Sequence, residues 1–141
     1  MPHISVPQGL PGITGLMAFR PDTARPLSEF AEQLMRGPSP LSQGERELIA
    51  ARVSDGNDCH FCMSSHAAAA RHALPDDGSL FAAICVDIDT APLSERMRAL
   101  LTIADKVRVG GRTVTADDNA AARAAGHDDE AIHDAVLVAA A

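Results

Sequence analysis

Residues 42–73 read SQGERELIAARVSDGNDCHFCMSSHAAAARHA, and this stretch decides the fold. Ser42-Gln-Gly-Glu45 is a capping box, in which a hydroxyl and a carboxylate satisfy each other's free backbone N–H groups. It opens a helix expected to run to about Ser54. Asp55-Gly-Asn-Asp58 reads as a turn. Asp58 then reads as the N-cap of a second helix, from Cys59 to about Ala73.

The rest of the chain follows the same pattern. Alanine occurs 26 times, and the only aromatic residues are four Phe. Strands favour β-branched and aromatic residues, whereas helices favour Ala, Leu, Arg and Glu. Further helices are predicted near Thr23–Met35 and over Ser79–Val86. Another runs from a Ser94 cap to about Val109. The next runs from Thr115, with Asp118 three residues on, to a stop at Gly126. Gly37-Pro-Ser-Pro40, Pro75–Gly78 and Gly110-Gly111 separate them. The last helix begins near Asp128 and carries no stop signal, which predicts a natural chain that runs on past Ala141. The expectation is an all-α, single-domain bundle of six to seven helices. Leu41–Ala50 and Leu93–Leu101 echo each other weakly, as two Ser-capped helix starts would.

Residues 1–22 differ. Pro2, Pro7, Gly9, Pro11, Gly12, Gly15 and Pro21 punctuate them, so they read as an irregular arm in front of a helical domain over 23–141. The arm's apolar residues (Ile4, Val6, Leu10, Ile13, Leu16, Met17, Phe19) should not stay wet. They pack along their own domain or on a second subunit.

Charge and length exclude several function classes. Twelve basic residues against nineteen acidic ones give a net charge of −7, which argues against nucleic-acid binding. Lys106 is the only lysine, so no polybasic run exists for an anionic membrane. No apolar stretch approaches the roughly 20 residues of a membrane span. The first residues lack the regions of a signal peptide. These features predict a soluble cytoplasmic protein.

One constellation carries chemistry. Cys59-His60-Phe61-Cys62 places two thiols three residues apart. In a reducing compartment such a pair is redox-active or metal-binding rather than a structural disulfide. His66 follows four residues after Cys62. At about 100° per residue, Cys59, Cys62 and His66 fall within about 60° of arc, which sets the imidazole one turn beyond Cys62. The first turn of the helix favours a thiolate at Cys59. Two bondable thiols with a base beside one of them suit peroxide reduction: one thiolate becomes a sulfenic acid and the other condenses with it. A base of this kind needs an orienting group. Glu45 is explained by its cap. Glu47, flanked by Ala50 and Ala51 where the second helix could approach closely, is the better candidate, set against a simple solvated carboxylate.

Glu47, eleven residues, Cys59, two residues, Cys62, three residues, His66 resembles the signature of the alkylhydroperoxidase D-like, or carboxymuconolactone decarboxylase, superfamily. Gly15–Arg20, Gly37–Ser42, Glu45–Ala50, Asn57–His66 and Ala124–Gly126 followed by Glu130-Ala-Ile resemble its peroxidase-related branch. The resemblance implies an all-helical fold and homo-oligomers. It implies a peroxidase that reduces hydrogen peroxide or organic hydroperoxides without a bound cofactor or metal. The thiol reductant would be a lipoyl-bearing or thioredoxin-like protein. It makes Cys62 the peroxide-reactive thiol, Cys59 the resolving thiol, and Glu47 with His66 the proton relay. The helix-end argument pointed to Cys59 instead; the neighbouring His66 decides for Cys62. One departure is visible. The family's further relay histidine precedes the second cysteine, where this chain has Phe61, and His60 lies about 100° away on the helix, as a surface residue would. The lactone decarboxylases of the superfamily lack the Cys pair, so their reaction does not carry over.

The alternatives are a redox sensor or non-redox enzyme of the same fold, and a zinc module built from Cys59, Cys62, His66 and Glu47 or His60. Other residues read blandly. Cys85 is a buried, inert thiol. His72 suits a helix end, and His3 lies in the arm. His127, His133 and the arginines at 96, 98, 108 and 112 are solvated. Met35, Met63 and Met97 fill the core.

Overall fold

A computed structural model describes residues 3–74 and 78–141. Among these residues there are eight α-helices, one 3-10 turn (Gly111–Thr113) and no strand. The helices are α1 (Thr14–Phe19), α2 (Pro21–Arg36), α3 (Gln43–Gly56), α4 (His60–Ala73), α5 (Ser79–Val86), α6 (Glu95–Val109), α7 (Ala116–Ala124) and α8 (Asp129–Ala140). None is long and apolar enough to cross a membrane.

Helix starts follow the cap chemistry. Ser42 with Glu45 and Thr115 with Asp118 form complete capping boxes, and Ser94 and Asp128 each accept a backbone N–H of the first turn. Asp58 is the exception. Its N–H bonds to the Asp55 carbonyl and that of Cys59 to the Ser54 carbonyl, so the end of α3 runs directly into α4. Asp58 takes up the left-handed conformation at φ 55°, which Asp tolerates better than most residues. It makes no cap, and α4 starts one residue later than expected, with Cys59 at its N-cap.

The stretch read as an irregular arm contains a helix. Thr14 turns back onto Pro11 through its N–H and hydroxyl, and α1 follows. Helix α2 begins at Pro21 rather than Thr23, because a proline at the first helical position loses only an N–H that had no partner. The arm does not bury its apolar side chains: Ile4, Leu10, Ile13, Leu16 and Phe19 remain 46–56% exposed. Packing along its own domain is therefore not what these five residues do. The break read at Pro75–Gly78 falls mostly on residues outside the described ones; Gly78 itself stands at φ 97° before α5.

Helix α3 is central. Its Leu48, Ile49, Ala50 and Val53 join Leu100, Leu101 and Ala104 of α6, Ala131, Ala135 and Val138 of α8, and Ile84 of α5 in one core. A helix covered on several sides needs no single apolar stripe. Helix α4 closes on α3 at Gly44, where a Cβ would lie 2.6 Å from the Leu74 side chain. Any larger residue would push the two helices apart. Met35 and Met97 are buried as expected.

Of the arginines read as solvated, Arg96 and Arg112 are exposed and Arg98 and Arg108 are half-buried; three of the four also bind carbonyls at chain turns. Arg96 binds the Gly126 carbonyl, Arg98 those of Ile88 and Ala91, and Arg108 that of Gly56. His127, also read as a surface residue, is only 4% exposed. The left-handed Gly126 turns the chain back toward α6, and His127 Nε2 meets the Arg96 carbonyl at 3.0 Å.

The single lysine is held in place too. Lys106 Nζ lies 2.6 Å and 2.7 Å from the two oxygens of Asp118. That bond, with the Thr115 N–H and hydroxyl, pulls the Asp118 carboxyl down to about 2. A depressed carboxyl stabilises the fold above its unfolded value near 4, and the effect is lost as pH falls from about 4 to about 2. Asp118→Ala is expected to cost about 1–2 kcal/mol at pH 7. In urea melts, its difference from the wild type should shrink steadily below about pH 4. A pH-independent difference would show that the ion pair contributes nothing.

Candidate active site

Glu47 sits in the middle of α3 and is 2% exposed. A carboxylate so buried requires a partner, and α4 supplies it: His66 Nδ1 lies 2.7 Å from Glu47 Oε2. The solvated-carboxylate reading of Glu47 is thus replaced by a buried pair. Ala50 and Ala51, both buried, are the small residues that let α4 come this close. With Nδ1–H donated to Glu47, the neutral ring carries its lone pair on Nε2. The His66 side chain is 36% exposed, so the ring is anchored at its inner nitrogen and reachable from outside.

Cys62 is the third residue of α4, one turn before His66 on the same face. The sulfurs of Cys59 and Cys62 are at bonding distance, and their Cα atoms are 5.4 Å apart, within the usual disulfide range. Because α4 starts at His60, both sulfurs belong to its positive N-terminal end. The dipole therefore does not favour Cys59 alone.

The surroundings of the two thiols differ. Cys59 opens into a shallow pocket of about 170 Å³ shared with Asp55, Asp58, His60 and Met63. Asp58 opposes a negative sulfur there, and Asp55 does so less, because Arg52 lies 3.4 Å from its carboxylate. His60 is exposed, as expected of a surface residue, yet it shares this pocket. Met63 is half-buried at the pocket wall rather than a core filler. Its place was legible as the residue one turn beyond Cys59. Asp55 reads only as a turn residue, and Asp58 only as a turn residue and helix cap.

Phe61 stands between the cysteines in the sequence and is 59% exposed. The arm reaches it at Gly12, where φ is 55° and a Cβ would lie 3.3 Å from the ring. Glu45 stays in its capping box, bonded to the Ser42 N–H at 2.8 Å. Cys85 is free and half-buried. Burial first, and the neighbouring Asp55 next, push its thiol up to about 11, the opposite of an activated cysteine. Residues of the zinc alternative are otherwise engaged: Glu47 with His66, and Cys59 with Cys62. Among the described residues no group of three or more His, Cys, Asp or Glu side chains is arranged to hold a metal ion.

Residues 21–106 match the model of the carboxymuconolactone decarboxylase family. Two solved structures resemble the chain over almost its whole length. An uncharacterised peroxidase-related protein from Silicibacter sp. is 32% identical at a TM-score of 0.82, covering 92% of this chain and 67% of its own. An uncharacterised peroxidase-related protein from Ralstonia eutropha, described as an alkylhydroperoxidase core, is 30% identical at a TM-score of 0.82. That match covers 91% of this chain and 67% of its own. No match was found among curated proteins.

Proposed function

We propose that this chain, which belongs to the carboxymuconolactone decarboxylase family, is a thiol peroxidase acting through Cys59 and Cys62. The observation that carries the reading is the buried Glu47 carboxylate 2.7 Å from His66, one turn beyond a cysteine pair at bonding distance. Cys62 is the attacking thiol. Both thiols have the helix end, but Cys62 has the imidazole one turn away, whereas Cys59 shares its pocket with Asp55 and Asp58.

The Cys62 thiol passes its proton to His66 Nε2, and the thiolate attacks one oxygen of the hydroperoxide. The O–O bond breaks, and the alkoxide or hydroxide leaves with a proton from His66. The sulfur is now a sulfenic acid. The Cys59 thiol then attacks that sulfur. An S–S bond forms, and the sulfenic hydroxyl leaves as water. Glu47 holds His66 in one tautomer and supports its charged form while the proton moves. A dithiol, carried by a lipoyl-bearing or thioredoxin-like protein, restores the pair. The exposed apolar residues of the arm, with Leu27 and Phe30 of α2, favour association of copies. A monomer mass in light scattering would rule that out.

The test is one equivalent of tert-butyl hydroperoxide added to the reduced protein. The expected result is a loss of about 2 Da, two thiols consumed and a Cys59–Cys62 linkage in the peptide map. Cys85 should remain free for alkylation once the protein is unfolded. Three surviving thiols would reject the reading.

A further inference from the structure

Cys59 and Cys62 are both half-buried, but they do not line the same pocket. Cys59 Sγ belongs to the residue that lines the pocket with Asp55, Asp58, His60 and Met63, and Cys62 is not on that wall. A thiol displacing one sulfur of a disulfide must reach it, and the other sulfur must leave as a thiolate. Cys62 is the better leaving group, because it lies in the first turn of α4 beside His66. Cys59 is the poorer one, because the Asp58 carboxylate shares its pocket with Asp55, whose charge Arg52 offsets only in part from 3.4 Å. Access and leaving-group stability point the same way.

We infer that the Cys59 pocket is the site of the reductive half-reaction, where a neutral or cationic thiol attacks Cys59 and forms a mixed disulfide there. The assignment rests on reading Cys59–Cys62 as a redox pair. Peroxide and reductant then use opposite ends of the same bond. The incoming thiolate bonds to Cys59 Sγ, the Sγ–Sγ bond breaks, and its electron pair leaves on Cys62. A second thiol of the reductant attacks the sulfur joined to Cys59, so the reductant departs as its own disulfide. Cys59 takes up a proton. A pocket of about 170 Å³ admits the thiol end of a side chain or cofactor arm rather than a folded surface. Its carboxylates disfavour an anionic carrier.

The experiment uses the whole chain oxidised with diamide, so it reads out even if the protein fails as a peroxidase. Cysteamine is added, the reaction is quenched with N-ethylmaleimide, and the peptides are mapped. The expected result is cysteamine on Cys59 and maleimide on Cys62, in at least about tenfold excess over the reverse. Equal or inverted labelling overturns the assignment. A second arm compares reduction rates per thiolate for cysteamine and mercaptoacetate. A preference of about tenfold for cysteamine is expected, falling to about threefold in Asp58→Asn. Asn tolerates the left-handed backbone at that position, so the variant changes charge and not the turn. Equal rates for the two thiols in the wild type would refute the charge selection.

Discussion

Cys62→Ser should abolish peroxide-dependent turnover, a fall on the order of 10⁴-fold in kcat/KM, while Cys59→Ser should still consume one equivalent of peroxide. The two thiols share a helix end and differ in their neighbours. Cys62 has His66 one turn away; Cys59 has Asp55 and Asp58. A sulfur that must become negative before attack is favoured in the first setting and opposed in the second. Without Cys59 the sulfenic acid has no resolving partner. The Cys59→Ser protein should therefore gain about 16 Da and then stall or over-oxidise. Intact mass after a single addition of peroxide separates the roles. If Cys62→Ser gains oxygen on Cys59 at the wild-type rate, the order of attack is reversed. Melting curves of the two variants should agree closely, because both replacements conserve size.

The contact between Glu47 and His66 was legible because it needed only two helices and a short turn. Residues 42–66 contain the Ser42–Glu45 capping box, and the small residues that let the helices meet lie close to Glu47 in the sequence. The misreadings came where tertiary contact overrides local pattern. Asp58 has the chemistry of an N-cap, but the end of α3 closes directly into α4 and leaves it in a left-handed turn. Pro21 reads as punctuation within an arm over 1–22, although a proline is equally at home at the first position of a helix. His127 and the arginines 98 and 108 bind carbonyls that lie 7 to 52 residues away in the chain. No periodicity records such a partner. The Cys59 pocket was half legible: His60 and Met63 follow from helical spacing, but Asp55 and Asp58 enter through the turn's path.

Glu47→Gln should lower kcat/KM for hydroperoxide by about 10²- to 10³-fold, within the range a positioned proton-transfer group contributes. The carboxylate is 2% exposed and 2.7 Å from His66 Nδ1. Glutamine can keep a hydrogen bond to the ring from nearly the same position. It removes the negative charge that supports the imidazolium, and its amide can offer N–H where an acceptor is required, turning the ring to the wrong tautomer. The attack of Cys62 and the departure of the alkoxide both depend on that ring. A purely structural Glu47 predicts a different pattern. The variant would then lose melting temperature and keep the wild-type shape of its pH–rate profile. A positioning role predicts the reverse: little change in melting temperature, a profile of changed shape, and KM for the hydroperoxide nearly unmoved while kcat falls. Glu47→Asp supplies the geometric control. It restores the charge but withdraws it by about one methylene, and His66 is free to follow because its side chain is a third exposed. Partial recovery in Glu47→Asp, with none in Glu47→Gln, would show that it is the charge on α3, delivered through His66, that the peroxide chemistry uses.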